Sequence, residues 1–324
     1  MTLVTRVAEV DITSFSLLPA SRREKESEEV MAKASVASRL VGNPISWGVC
    51  EVPDWGYQLA PRTVLGEMKR LGLSGTEQGP VGYLGTTPVE VANAAAEFGL
   101  PIVGAFVPLV MHDRSQRESM RKAAHFSASL LGATGKGFFI TAVVVDEGWG
   151  PRFPLSDAQW QAMFDGFSEV DEICAGYGIR QVLHPHLNTL VETYDDVQRV
   201  VAGSSVRWLL DTGHLQIGGT DPAKFAKDHF DRVDHVHIKD AKMSIAKRFL
   251  AREISLLEAT RDGVFCSAGD GDVPVAEVVR TMESRGYEGW YVLEQDIAIV
   301  GDQARTPDAA STAVERSIRY LSKL

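Results

Sequence analysis

Four segments of the chain share one pattern, in which a short apolar run ends abruptly in His, Asp, Lys or Glu. Branched and aromatic runs of this kind are typical of strands covered on both faces, as in a parallel sheet. Parallel strands end at the same edge of a sheet or barrel, so we expect the polar side chains of the four segments to face one another. The segments begin at residues 181, 206, 233 and 289 and are QVLHPH, VRWLLDTGH, VDHVHIKD and GWYVLEQD.

Strand and helix patterns alternate from about residue 41 to the end of the chain. Eight strands with helices between them predict the α/β class and a (β/α)8 TIM barrel. A doubly wound open sheet has the same alternation, but no glycine-rich phosphate turn follows the first predicted strand. The predicted strands are residues 43–49, 73–77, 100–109, 137–145, 181–186, 206–211, 233–240 and 290–295, and the predicted helices are 61–71, 88–98, 117–131, 157–177, 194–201 and 312–321.

Residues 1–40 differ in composition from the rest, and we expect them to be an N-terminal extension to a barrel domain of residues 41–324. Residues 21–33, SRREKESEEVMAK, are dense in charges of both signs. Such a segment is typical of a mobile or loosely docked extension. The alternative is a helix that packs against the barrel or against a second subunit.

Composition narrows the range of functions. The formal net charge is −10, which disfavours nucleic acid and anionic membranes as partners. Three cysteines without CxxC spacing argue against a disulfide framework and fit a reduced cytoplasm. No apolar run reaches the roughly 18 residues of a membrane span, and the N-terminus lacks the layout of a secretory signal. We expect a cytoplasmic enzyme with a small-molecule substrate, and a homo-oligomer is compatible with the sequence.

The ends of the predicted sixth to eighth strands offer metal ligands. Asp211 follows a buried run and His214 lies three residues later, while His235 and His237 share one strand face. Carboxylate and imidazole together suit Mn, Co, Zn or Fe better than Ca. Glu294 follows the run WYVL, where an unpaired carboxylate is costly to bury and a metal would remove that cost. The alternatives are a helix cap for Asp211 and an ion pair for Glu294.

The end of the predicted fifth strand has three candidates for a further ligand. His184 and His186 lie on one strand face, and Glu192 follows in the next loop. One of the three is expected to complete the metal site. The alternative is that both histidines are structural.

Glu192 is also a candidate for contact with the substrate, and three further residues are candidates for the rim of the site. Trp47 has a flat apolar face suited to the C–H surface of a cyclic polyol, although ordinary packing explains it nearly as well. His112 follows the third strand. Lys239 could stabilise developing negative charge on an oxygen, or form a salt bridge with Asp240 or a neighbour.

Seven ordered motifs resemble those of the xylose-isomerase-like barrel superfamily, and within it most resemble the inosose dehydratase branch. The similarity runs from about Asn43 to the C-terminus. It implies one divalent cation, Mn or Co, held by a Glu, Asp, His, Glu set from strands five to eight. Asp211, His237 and Glu294 match the last three positions, and His184 stands where the family has the first Glu. The motifs are ISWGVCEVPDWG, LGLSGTEQGPVGYLG, VLHPHLNTLVET, LLDTGHLQIGGTDP, HVHIKD, GDGDVP and GWYVLEQD.

The resemblance implies a metal-dependent dehydratase that removes water from inosose or a related keto-polyol through an enediolate. Proton transfer would fall to Glu294, His186 or His214, with Lys239 and Glu77 near the substrate oxygens. One alternative is a metal-dependent sugar isomerase, epimerase or keto-glycoside-processing enzyme. Another is a non-catalytic binding or partner subunit.

Overall fold

Eight parallel strands close into a barrel in the computed structural model of the chain, which describes residues 34–135, 137–301 and 305–324. The predicted TIM barrel is therefore confirmed. An antiparallel pair, β8 (Asp240–Ala241) and β9 (Phe265–Cys266), lies outside the barrel. The barrel strands are β1 (Leu40–Gly42), β2 (Thr76–Glu77), β3 (Ile102–Leu109), β4 (Phe138–Val143), β5 (Arg180–Leu183), β6 (Trp208–Asp211), β7 (Val233–Ile238) and β10 (Tyr291–Leu293).

Helices follow most of the strands. No helix in the described part of the chain combines the length and apolar character that a membrane span requires. The three cysteines, Cys50, Cys174 and Cys266, are free. The helices are α1 (Pro61–Arg70), α2 (Pro88–Phe98), α3 (Arg117–Gly132), α4 (Asp157–Gly176), α5 (Tyr194–Gly203), α6 (Thr212–Ile217), α7 (Pro222–Asp228), α8 (Met243–Leu250), α9 (Leu256–Arg261), α10 (Val275–Ser284) and α11 (Asp308–Leu321).

Residues 1–33 of the expected N-terminal extension lie outside the described residues, so the extension remains a prediction. The described barrel unit begins at Val36. Its first strand begins at Leu40, one residue before the predicted start of the barrel domain.

The first strand was predicted in the wrong place. Residues 43–49 were expected to be extended, but β1 ends at Gly42 and Pro44–Trp47 is a 3-10 helix. Asn43 caps this helix, because its side-chain oxygen accepts a hydrogen bond from the Ile45 N–H at 3.1 Å. Proline at the first helical position and Gly48, with a φ of 82°, fix its two ends.

Helix α2 shows local signals that agree with the fold, and its predicted bounds are confirmed. Thr87 and Glu90 form a capping box at its start, and Gly99 ends it with a φ of 63°. Other boundaries were less accurate. The fifth strand ends at Leu183, before the histidines, and the last helix begins at Asp308 instead of residue 312.

The interior of the barrel explains why the polar strand ends converge. Val182 and Leu209 belong to one small buried cluster, and Val292 to another, both separate from the large core that includes the helices. Side chains alternate along a strand, so a residue two positions further on lies on the same inner face. Those residues form the next layer toward the carboxyl ends, and they are His184, Asp211 and Glu294.

Candidate active site

A cavity of about 420 Å³ lies at the carboxyl ends of the barrel strands, where the functional site of a TIM barrel is found. Its polar residues come from, or directly follow, five different strands. They include Asn43 after β1, Glu77 of β2, His184 after β5, Lys239 after β7 and Glu294 after β10.

Asp211 and His184 meet at the floor of this site without a hydrogen bond. Asp211 Oδ2 and His184 Nε2 are 3.4 Å apart, and neither atom has a hydrogen-bond partner. The other oxygen of Asp211 accepts from the His214 N–H at 2.8 Å and caps helix α6. Buried polar atoms are rarely left unsatisfied, so this unpaired pair indicates that a group is held between them.

Two clusters of buried metal-ligand side chains surround this point. Donor atoms of His184, Asp211, His214 and Glu294 all lie within 4.8 Å of one another, and those of Glu77, His235 and His237 form a second such group. His237 connects the clusters, because its Nδ1 atom is 3.0 Å from Glu294 Oε2 and 3.7 Å from Asp211 Oδ2.

The donor set fits a divalent cation. Two carboxylates and two imidazoles, together with the unsatisfied atoms of His184 and Asp211, match a mixed nitrogen and oxygen site. Of the four residues expected from the sequence, His184, Asp211 and Glu294 belong to the first cluster, and His237 contacts that cluster from the second. His214 is a fifth nearby donor, but its Nε2 atom lies 2.9 Å from the Lys239 ammonium, which donates to it.

Glu77, at the end of β2, connects several residues of the site through hydrogen bonds. Its Oε1 atom lies 2.8 Å from Nε2 of both His235 and His237, and its Oε2 atom accepts from Asn43 at 2.7 Å. Asn43 also donates to Glu294 Oε1 at 2.7 Å, so one amide bridges the two glutamates. Glu77 was expected to contact substrate, and it does reach the cavity wall. Both of its oxygens are nevertheless engaged with protein groups.

These contacts determine whether His237 and Asp211 are charged. Burial disfavours a charged His237, but the Glu294 and Glu77 carboxylates outweigh burial and raise the pKa of His237 well above its usual range. Burial likewise opposes ionisation of Asp211. The His214 ring and the Lys239 ammonium outweigh that effect and hold the pKa of Asp211 well below its usual range.

Lys239 is a fully buried ammonium surrounded by acids. Its Nζ atom is 2.7 Å from Asp296 Oδ1 and 2.9 Å from Glu294 Oε2. Burial alone would lower the pKa of Lys239, but Asp296 and Glu294 raise it above its usual value. Gly213 makes room for its stem, because a Cβ atom there would lie 2.7 Å from Lys239 Cγ.

Asp240 is not the ion-pair partner of Lys239 that the sequence suggested as an alternative. Its carboxylate instead accepts hydrogen bonds from the backbone N–H groups of Gly269, Gly271 and Val273. Asp240 therefore fixes the loop that carries the motif GDGDVP. Lys239 forms its salt bridges with Glu294 and Asp296, which both lie in the segment after β10.

His186 lines the cavity and has a defined tautomer. Its Nδ1 atom is 2.7 Å from the Leu187 carbonyl oxygen, which can only accept, so Nδ1 carries the proton and Nε2 does not. Burial, reinforced by His184 and Lys239, lowers the pKa of His186 to about 3. The ring is therefore neutral near pH 7.

Glu51 is a cavity residue that the sequence analysis did not identify. It lies in the loop between the 3-10 helix and α1 and lines the cavity together with Glu294 and Asp296. Burial raises the pKa of Glu51 to about 7, and the carboxylates of Glu294 and Asp296 add to that effect. No spacing or strand pattern marks Glu51, because its position depends on how the loop folds back over the barrel.

Three residues expected at the substrate rim lie off the wall of this cavity. Trp47 is fully buried in the core, where its indole N–H donates to Ser311 Oγ, because residues 44–47 are helical and not extended. His112 packs against Phe153 beyond the end of β3. Glu192 accepts from the Asn188 N–H and lines a neighbouring cavity of about 440 Å³.

Residues 65–324 match the xylose isomerase-like TIM barrel family. The chain belongs to this family. Inosose dehydratase of Geobacillus kaustophilus (strain HTA426) is 28% identical to the chain, and the similarity covers 79% of the chain and 87% of that protein. The xylose isomerase-like fold thus carries buried metal-site candidates at the strand ends, as is expected of an enzyme of this family.

Solved structures share the same fold. The apo form of 3-keto-D-glucoside 4-epimerase, YcjR, from E. coli has a TM-score of 0.61 at 19% identity, covering 88% of the chain and 99% of the epimerase. The IOLI protein with a binding zinc atom has a TM-score of 0.59 at 13% identity, covering 88% of the chain and 95% of that protein. At these identities the likeness concerns the barrel itself.

Proposed function

We propose that this protein is a divalent-metal-dependent lyase that removes water from inosose or a related keto-polyol through an enediolate. The observation that carries the proposal is the unsatisfied pair of buried atoms, Asp211 Oδ2 and His184 Nε2, beside Glu294 and His237. We assign His184, Asp211, His237 and Glu294 as the ligands and Mn or Co as the metal. When bound, the cation would act as a Lewis acid that polarises the ketone and makes the adjacent C–H bond more acidic.

The residue at the end of the fifth strand, His184, favours dehydration over isomerisation. Sugar isomerases and epimerases of the superfamily use two metal-bound glutamates as a paired acid and base. Here His184 occupies the first of those positions, which leaves Glu294 without a second glutamate ligand. The similarity to inosose dehydratase over most of the chain supports the same choice of reaction and substrate.

We assign removal of the α-proton to His186, whose pKa of about 3 makes it a weak base but leaves its ring unprotonated at neutral pH. Its Nε2 atom has a free lone pair because Nδ1 donates to the Leu187 carbonyl, and the ring lines the cavity. The competing bases are occupied. Glu294 accepts from Asn43 through Oε1 and contacts Lys239 through Oε2, and His214 Nε2 accepts from Lys239.

Lys239 and Glu51 then complete the elimination. The Lys239 ammonium cannot act as a base, but it stabilises negative charge that develops on the substrate oxygen. Glu51, with its pKa raised to about 7, retains a proton in much of the neutral range and donates it to the departing hydroxyl group. The α-proton goes to His186, the C–O electrons leave with the hydroxyl group, and one water is released.

Mass spectrometry of the metal-loaded protein with 2-keto-myo-inositol in deuterated water tests the proposal. Loss of one water from the substrate is the expected result. A substrate that loses no water but incorporates deuterium at a carbon atom would identify an isomerase or epimerase instead. Metal binding without any change in the substrate would identify a non-catalytic binding protein. His186→Gln is the matched variant, and it should retain the metal while losing turnover.

A further inference from the structure

The cavity has two halves with different chemistry. The inner half consists of the polar strand ends, where Asn43, Glu77 and Lys239 present amide, carboxylate and ammonium groups. The outer half consists of loops that extend beyond the strand ends. Its walls are mostly apolar, and its polar members include Glu51, Asp54, Asn188 and Ser255. The apolar residues include Val49, Val52, Trp55, Trp149, Leu187 and Leu256.

Trp149 forms a flat wall in this outer half. Its ring stacks on Phe106 with a centroid distance of 6.2 Å and an interplanar angle of 13°, and both rings line the cavity. The backbone of Trp149 has a φ of 56°, a conformation that is uncommon for residues other than glycine. Asp146 holds this turn, because its Oδ1 atom accepts from the N–H groups of Gly148 and Gly150.

The loop from β1 supplies the other aromatic surface. Trp55 is nearly buried, and its indole N–H is already satisfied by the Ile297 carbonyl oxygen at 2.7 Å. It therefore offers an apolar face to the cavity and no free hydrogen-bond donor. Leu256, at the start of α9, and Val52 are only half-buried, so their side chains leave apolar area uncovered.

A polyol ring alone does not match this outer half. The C–H face of such a ring can lie on Trp149, but the oxygen on every ring carbon loses water without gaining a partner where it meets Val52 and Leu256. A cavity of about 420 Å³ falls in the size range that accommodates a ligand larger than one ring. The polar inner half is sufficient for the reacting ring, which leaves the outer half for another group.

We propose that the outer half of the cavity is a subsite for a flat, apolar substituent carried by the substrate, so that the substrate class is a keto-polyol bearing an aryl ether. This inference rests on the proposed function for the reacting ring. The aryl group lies against Trp149 and between Val52 and Leu256. Stacking on an aromatic wall contributes roughly 2- to 13-fold in affinity beyond the effect of buried area.

Isothermal titration calorimetry with matched ligands tests the subsite without requiring turnover. The probes are the mono-O-phenyl and mono-O-methyl ethers of 2-keto-myo-inositol, which share the reacting ring and differ only in the substituent. Binding is measured to the protein with and without Mn. The variants are Trp149→Ala and Leu256→Asp, which remove the wall from two separate loops. Phe126→Ala, which removes an exposed aromatic side chain from α3, is the control.

The phenyl ether is expected to bind the wild-type protein about tenfold more tightly than the methyl ether. Each of the two cavity variants should bring the phenyl ether to the affinity of the methyl ether, which itself should not change. Phe126→Ala should leave both affinities as they are. Equal affinities in the wild-type protein, no binding of either ether, or a phenyl preference that survives both cavity variants would overturn the subsite.

The two proposals fail separately. A phenyl preference that depends on Trp149, combined with no loss of water from any keto-polyol, would keep the subsite and reject the lyase. Loss of water from 2-keto-myo-inositol, combined with equal affinities for the two ethers, would keep the lyase and reject the subsite.

Discussion

The Nε2 atom of His237 lies 2.8 Å from Oε1 of Glu77, and this contact turns the opposite ring nitrogen toward Glu294 and Asp211. A carboxylate on the outer nitrogen of a metal-binding histidine fixes the ring and increases its basicity. Glu77 is therefore a positioning residue in the proposed site. It acts through His237 rather than on the substrate.

Glu77→Gln should weaken metal binding by about 10- to 100-fold, the usual effect of losing such a partner. The side chain keeps nearly the same shape, so the barrel should fold. Competition titration against a chelating dye measures the change in affinity. Glu118→Gln, on the exposed side of α3, is the matched control and should bind metal like the wild-type protein. Unchanged affinity in Glu77→Gln would show that His237 is not held for a metal.

Asp211 has two separable roles, since Oδ1 caps α6 and Oδ2 faces His184. Asp211→Asn keeps an oxygen for the cap and removes the charge, so it should lose metal and activity at little cost in stability. Asp211→Ala should lose metal, activity and the cap, with a further loss of about 1 kcal/mol in the free energy of unfolding. Metal content by mass spectrometry and urea denaturation distinguish the two variants. Retention of stoichiometric metal by Asp211→Asn would remove this residue from the ligand set.

The repeating strand pattern made most of the barrel predictable from the sequence, and it also indicated which candidate metal ligands lie near one another. Asp211, His237 and Glu294 each follow an apolar run, and a period of two puts them in the same interior layer. The first strand was not predictable in this way. The segment NPISW has strand-like composition, yet its asparagine cap and proline favour a helical turn.

Residues on loops could not be predicted for a different reason. Glu51 and Trp149 reach the cavity only because two loops fold back over the strand ends, and no periodicity records that path. The short helices between residues 212 and 261 were also missed, since segments of six to eight residues give little periodic signal. Asn43 was predictable only in part. Its capping contact with Ile45 is local in the sequence, whereas its bridge between Glu77 and Glu294 joins residues that are far apart in the sequence.

The pH dependence of the reaction should follow the ionisation of the Glu51 carboxyl group. Its pKa is raised to about 7, so the carboxyl group is protonated below that pH and ionised above it. If the protonated form donates to the leaving hydroxyl group, kcat/KM should fall as the pH rises through about 7. The charged groups that act on Glu51 are Glu294, Asp296 and Lys239.

Glu51→Gln is the variant that tests this assignment. The amide cannot transfer a proton, so kcat should fall by roughly 100-fold and the remaining activity should lose its fall above pH 7. Glu118→Gln, on the exposed side of α3, is the control. An unchanged pH profile in Glu51→Gln would assign the alkaline limb to another group.

Lys239 should also stabilise the fold, because its removal leaves Asp296 buried without a cation and leaves Glu294 with His237 alone. Lys239→Met is expected to lower the free energy of unfolding by about 3–5 kcal/mol in metal-free protein, as measured by urea denaturation in the presence of a chelator. Adding Asp296→Asn should recover part of the loss, since it removes the carboxylate that is left without a cation. Lys224→Met breaks an exposed ion pair with Asp228 and should cost under about 1 kcal/mol. A Lys239→Met protein as stable as Lys224→Met would mean that Glu294 and Asp296 take up protons or water in the folded state, and that the ammonium is retained for the reaction alone.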